Sequence, residues 1–300
     1  MDRAALAPLT EAKGIADAMP EMLIEARRVA NVVLAGWHGR RSPGRGETFW
    51  QFRPFVTGEA AASIDWRRSA RDEHLFVREM EWEAVHTLWL WPDLSPSMEF
   101  RSRLAPVSKR QRATVLTLAL AELLANAGER IGLLGASDPI MARNAAERVA
   151  ALLPRAGDAG LKPSASALRR FSDVVLFGDF LDPIAEIDAM LDAILRTGAR
   201  AHIVQITDPI EETFPYAGRT EFVDPETGAR HVVSRAEQYR EDYQRRLAAL
   251  REHLRTLTRR LDWTFLVHRT DKPATEPLLA LHARLADRSH SLGMHVGRAA

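Results

Sequence analysis

Residues 87–98 read Thr-Leu-Trp-Leu-Trp-Pro-Asp-Leu-Ser-Pro-Ser-Met. Thr87 to Trp91 is a continuous apolar run of strand length, the pattern of a strand covered on both faces in a parallel sheet. Directly behind it stand Asp93, Ser95 and Ser97. A carboxylate and two hydroxyls at alternate positions of a tight loop can turn toward one point. They offer hard oxygens only, which suits Mg2+ or Mn2+ and not Zn2+. The plainer reading is that serines before a helix act as caps.

Working outward, Ser108 and Gln111 form a capping box before a helix reaching about Ala127. Arg130 to Leu134 is a second strand, Asn144 to Leu153 a helix, and Asp173 to Phe177 a third buried strand. Asp182 caps and Pro183 opens a helix with Ile184, Ile187, Leu191 and Ile194 on one face. Ala201 to Thr207 and Trp263 to His268 are the last strands, and Glu276 to Arg288 the last helix. This alternation predicts an α/β fold, a three-layer doubly wound, mostly parallel, Rossmann-like sheet. An insertion at about 215–260 carries a hairpin around Asp224 to Gly228. Ser234 and Glu237 then suggest a second capping box, before a helix with an apolar stripe from Tyr239 to Leu261. Residues 1–84 form an N-terminal flank, helical and then β, with an arginine-rich segment, and 85–300 form the sheet domain.

Such sheets bind ligands beyond the carboxyl ends of their strands. Asp179 follows the third strand there, and Asp208-Pro209 with Glu211 and Glu212 follows the fourth. Asp93, Ser95, Ser97 and Asp179 are thus the candidate metal ligands, and Asp208 on its own reads as a turn former. The ten histidines are scattered without metal-ligand spacing.

The 300 residues are 46% hydrophobic and 27% charged, which excludes a disordered or low-complexity chain. Lys+Arg is 41 against Asp+Glu 40, a net charge of +1 that argues against bulk binding to nucleic acid or an anionic membrane. The balance hides segregation. Asp173 to Glu226 carries twelve acids and three arginines, net −9, while 38–71 and 234–260 are each net +4. Either these segments neutralise one another within the molecule, or they orient a partner. The basic residues are nearly all arginine; Lys13, Lys109, Lys162 and Lys272 are the only lysines. Cysteine is absent, which excludes disulfides and thiolate chemistry. The first twenty residues lack the pattern of a signal peptide, and the longest apolar stretch, Ala113 to Ala127, is too short to span a bilayer. A cytoplasmic protein without direct membrane insertion is expected.

Asp93 to Met98 resembles the metal-ion-dependent adhesion site of von Willebrand factor type A domains. Arg53-Pro54-Phe55, then Asp65-Trp66-Arg67-Arg68-Ser69-Ala70-Arg71, and Val77-Arg78-Glu79 narrow the likeness. With Asp208-Pro209-x-Glu211 and Asp224-x-Glu226-Thr227-Gly228, they resemble the bacterial family known as domain of unknown function 58. That resemblance implies a non-enzymatic adaptor. Such proteins are partners of MoxR-type AAA+ ATPases, and of other von Willebrand type A proteins, in chaperone-like maturation or stress responses. It also implies a Mg2+ completed by an acidic group of the partner, with Arg67, Arg68, Arg71, Asp208 and Glu211 as partner contacts. Gly58-Glu59 replaces the family's usual Gly-Asp, and only Ser164 and Ser166 stand in for its middle-loop threonine. The alternative is a Mg2+-dependent phosphoryl-transfer or hydrolytic enzyme using Asp93. The chain lacks an Asp-x-Asp phosphatase pattern, a phosphate loop, a dinucleotide turn and a Gly-x-Ser-x-Gly elbow.

Overall fold

The run at 87–91 becomes a central strand because its side chains serve two cores at once. A computed structural model describes residues 3–37, 49–56, 64–72, 74–80, 87–156 and 163–296. In chain order the elements are α1 (Arg3–Trp37), β1 (Phe49–Pro54), α2 (Trp66–Ser69), β2 (Phe76–Met80), β3 (Thr87–Pro92), α3 (Lys109–Asn126) and β4 (Arg130–Leu133). There follow α4 (Ala145–Ala156), β5 (Asp173–Gly178), α5 (Ile184–Arg196), β6 (Arg200–Thr207) and α6 (Pro209–Thr213). The chain continues through β7 (Thr220–Val223), β8 (Arg230–Val233), α7 (Arg240–Arg260), β9 (Thr264–Arg269) and α8 (Thr275–Val296).

Five parallel strands are ordered β4-β3-β5-β6-β9. Successive side chains of a strand face opposite ways. Leu88 and Leu90 therefore join Val29, Leu116, Leu120, Val149 and Leu278 in one core. Trp89 and Trp91 join Ile187, Leu191, Leu254 and Trp263 in the other. Helices cover both faces, as the alternation of strands and helices required. The strand order reverses at β3, between β4 and β5, and in open sheets of this kind the binding crevice opens at such a point.

The chain divides into two compact units, one of residues 1–36 and 86–285, the other of 37–85 and 286–300. This corrects the expected flank over 1–84. Met22, Ala26, Val29, Ala30 and Val33 of α1 belong to the same core as α3 and β3, so the first helix is part of the sheet unit. In the second unit β1 and β2 pair antiparallel, and Asp65 caps α2 by accepting from the Arg68 N–H. The Gly- and Arg-rich loop at 38–48 and Gly58-Glu59 lie outside the described residues.

The hairpin of β7 and β8 forms as expected. Helix α7 is the crossover that a parallel sheet needs between β6 and β9, and its Leu247, Leu250 and Leu254 are buried. Two expected caps differ. Helix α5 starts at Ile184 with Pro183 in the cap position and no side-chain cap bond. Ser234 and Glu237 make no box, because Glu237 instead accepts from the Gly218 N–H at the base of the hairpin, 2.8 Å away. Among the described residues no helix is long and apolar enough to cross a membrane.

Trp89 is paired in register with Gly132 of β4. A Cβ at 132 would stand 2.6 Å from the indole ring, so the glycine is what lets a tryptophan occupy the centre of the sheet. Gly132→Ala should lower stability by about 1–3 kcal/mol, read as a fall in the urea midpoint with an unchanged slope.

Candidate functional site

Asp93 leaves the carboxyl end of β3 and Asp179 that of β5, the two strands flanking the reversal of order. The Asp93 N–H donates to the Phe177 carbonyl at 2.7 Å, extending the β3–β5 pairing into the loop. A Cβ at Gly178 would lie 3.2 Å from the Asp93 Cβ, so the glycine gives Asp93 its room.

The loop 93–97 is built around its own oxygens. The Ser95 N–H donates to Asp93 Oδ1 at 2.9 Å, and the Ser95 and Ser97 hydroxyls are 3.0 Å apart. Ser95 precedes a single 3-10 turn, Pro96–Glu99, yet its side chain makes no cap bond. The plain capping reading therefore fails for this serine. Buried Arg110 braces the loop, donating to the Leu94 carbonyl and pairing with Glu99. The Ser97 N–H donates to Glu226 Oε1 of the distant hairpin at 3.0 Å.

Beside this loop lies a residue that the strand-end reading passed over. Lys109 opens α3 and is only 2% exposed. Its Nζ donates to Asp179 Oδ2 at 2.8 Å and to Glu211 Oε1 at 2.6 Å, and it stands 5.7 Å from the centre of the Phe100 ring. Burial opposes the ammonium charge, but Asp179 and Glu211 outweigh it and raise the lysine pKa above its ordinary value. The available signal in the sequence was scarcity: a lysine at a helix start in a chain that otherwise uses arginine.

Asp179 therefore gives Oδ2 to Lys109, while its Oδ1 accepts a 3.4 Å bond from the Leu181 N–H. Its carbonyl accepts from Gln205 Nε2 at 2.9 Å, and Gln205 in turn accepts from Arg251. Asp208 and Glu211 need a larger correction. Asp208 is fully buried, caps α6 through the Ile210 N–H, and accepts from the Ser102 N–H at 2.8 Å. Glu211 completes that capping box and binds Lys109. Asp208, with both oxygens taken inside the protein, presents nothing to a partner. Glu211 is largely taken up by the same internal bonds. Ser164 and Ser166 hydrogen-bond to each other in an exposed turn before β5, and 157–162 lie outside the described residues. Arg67 and Arg71 are exposed in the second unit, while Arg68 pairs with Asp72 at 3.5 Å and lies over Phe76.

Among the described residues no three His, Asp or Glu side chains form a group that could hold a metal. The Asp93, Ser95 and Ser97 oxygens are the carboxylate and hydroxyls that a divalent ion at this edge could draw on. They suit Mg2+ or Mn2+, with water filling the other positions.

Burial pushes the Asp93 carboxyl up to about 6 from 3.8, aided by Asp179 and Asp182 and opposed by its bonds from Ser95. The folded chain thus holds this proton more tightly than the unfolded chain. Stability falls as pH rises from about 4 through 6 and stays lower above, by on the order of 2–3 kcal/mol. Asp93→Asn should melt several degrees above wild type at pH 7.5 without divalent metal, and lose that advantage by pH 4.

Comparison with known proteins places the chain in a family. Uncharacterized proteins of Mycobacterium bovis (Mb1516) and Mycobacterium tuberculosis (Rv1480) are each 28% identical over 277 residues, covering 86% of this chain and 86% of theirs. The crystal structure of the conserved hypothetical protein BatB from Bacteroides thetaiotaomicron matches 67% of this chain and 99% of its own, with a TM-score of 0.37 and 10% identity. The family model described as "Protein of unknown function DUF58" matches residues 51–253. With two thirds of its length matched, the chain belongs to that family.

Proposed function

We propose that this protein is a non-enzymatic binding module. Its Asp93–Ser97 loop takes an acidic group of a partner protein through a bound Mg2+. The observation that carries this reading is the pair of hydroxyls, Ser95 and Ser97, side by side at the strand-order reversal and not used as caps. Asp93 and the two serines would hold the metal, which supplies positive charge to which a carboxylate can bind. With a single carboxylate in the set, the ion keeps most of its charge for the partner. Lys109 keeps Asp179 and Glu211 out of that exchange. The resemblance of the loop to metal-ion-dependent adhesion sites, and of the chain to adaptors of MoxR-type AAA+ ATPases, supports such an ATPase as partner. A cytoplasmic location suits both.

Mg2+ at millimolar concentration should raise the melting temperature of the wild type relative to EDTA and leave Asp93→Ala unchanged. Capture from native extract should recover an AAA+ ATPase with wild type in Mg2+, and lose it in EDTA or with Asp93→Ala. Equal melting in both conditions sinks the metal reading. Phosphoester turnover that disappears in Asp93→Ala sinks the non-enzymatic one.

A further inference from the structure

We propose that Glu226 holds the partner's place in cis, so that the hairpin of β7 and β8 is a displaceable cover over the Asp93–Ser97 loop. The inference rests on the reading of that loop as the partner site, and it adds how the site is controlled and what it accepts.

Residue 226 is 129 positions from Ser97 in the chain, yet its carboxylate accepts the Ser97 N–H at 3.0 Å. Ser97 also carries one of the two hydroxyls that define the site. A glutamate side chain thus already touches the loop to which an acidic partner group is expected to bind. Among the described residues this is the only hydrogen bond from 224–229 to a part of the chain outside the hairpin.

The hairpin is anchored at one end and lightly held at the other. At the base, Phe214 lies 5.0 Å from Tyr243 of α7 and 5.9 Å from Phe222 of β7, centre to centre, and Tyr216 packs edge-on against Phe222. Arg240 donates to the Phe214 carbonyl and Glu237 accepts from the Gly218 N–H. Toward the tip, every residue from Val223 to Val232 is exposed. The tip is nonetheless ordered by itself: Asp224 accepts from the Glu226 N–H at 2.9 Å and from the Thr227 hydroxyl at 2.6 Å. A preshaped tip on a firm hinge loses little when it leaves, because its internal bonds travel with it. A two-stranded hairpin needs other packing to persist, and here the aromatic base provides it whether the tip is docked or not.

A single bond from a backbone N–H to an exposed carboxylate shifts the docked and open populations by about tenfold. A partner carboxylate reaches the loop only from the open form, so its apparent affinity is lower by the same factor. The occupant also defines the ligand: a glutamate displayed on a tight, self-bonded turn.

The test uses the full chain with Glu226→Ala and Glu226→Gln, and a peptide spanning 220–233 closed by a disulfide between added terminal cysteines. Glu226→Ala should speed hydrogen exchange of the Ser97 amide about tenfold. It should bind the peptide about tenfold more tightly than wild type, whose site is covered, and Glu226→Gln should fall between. A peptide carrying the same alanine should not bind. Unchanged Ser97 exchange, or equal peptide binding by wild type and Glu226→Ala, overturns the inference. A gain that persists in EDTA supports the cover while counting against the metal in the proposed function, so the two can fail separately.

Discussion

The ammonium of Lys109, buried between Asp179 and Glu211, is the constraint around which the strand ends are arranged. Helix α3 begins Lys-Arg-Gln-Arg with no acid in its first turn, so three cations stand at the end of a helix that already carries partial positive charge. All three are buried. Such a start is tolerable only if carboxylates from elsewhere meet it. Asp179 and Glu211 meet Lys109, Glu99 meets Arg110, and the Thr270 carbonyl accepts from Arg112 at 3.0 Å. The helix covering the sheet and the loops at its carboxyl edge are thereby fixed to each other by charge. A lysine suits the position because its compact ammonium can lie between two carboxylates, where a planar guanidinium needs a wider, forked arrangement.

This pairing divides the edge into two parts with different duties. One part, with Lys109, Asp179, Asp208 and Glu211, is closed and internally satisfied. The other, with Asp93, Ser95 and Ser97, retains oxygens whose described partners are chiefly one another. Ionised Asp93 in this setting costs stability at neutral pH, as a group kept for binding would under the proposed function. The segregated charges of the sequence follow the same division. Part of the acidic segment is met by other groups of the same chain: Glu212 pairs with Arg251, Glu221 pairs with Arg230 at the surface, and Asp188 is hydrogen-bonded to His253. Exposed acids remain on α5, at Glu186 and Asp192, and at the hairpin tip.

Much of the fold was legible in the sequence. The continuous apolar run at Leu88-Trp89-Leu90-Trp91 and the Ser108–Gln111 box depend on nearby residues, and both appear as expected. The place of α1 was not legible, since its apolar stripe says that a face is buried but not which unit buries it. At the site, the loop 93–97 could be read because all its groups are within five residues. Lys109, Glu211 and Glu226 meet their partners across 70 to 129 positions, and no local spacing encodes that. Asp179 looked like a ligand for the same reason: a carboxylate at a strand end announces itself, and the lysine that neutralises it does not. The work of Gly178, which ends β5 and makes room for Asp93, was not legible either, because it depends on a loop from another strand.

The central claim is that Lys109 neutralises Asp179. A double-substitution cycle measures this most directly, comparing unfolding free energies of wild type, Lys109→Met, Asp179→Asn and the two together. Lys109→Met alone leaves two carboxylates buried and uncompensated and should cost about 3–5 kcal/mol. Adding Asp179→Asn to it should recover part of that loss, giving a coupling of at least about 1 kcal/mol. Losses that simply add would contradict the account.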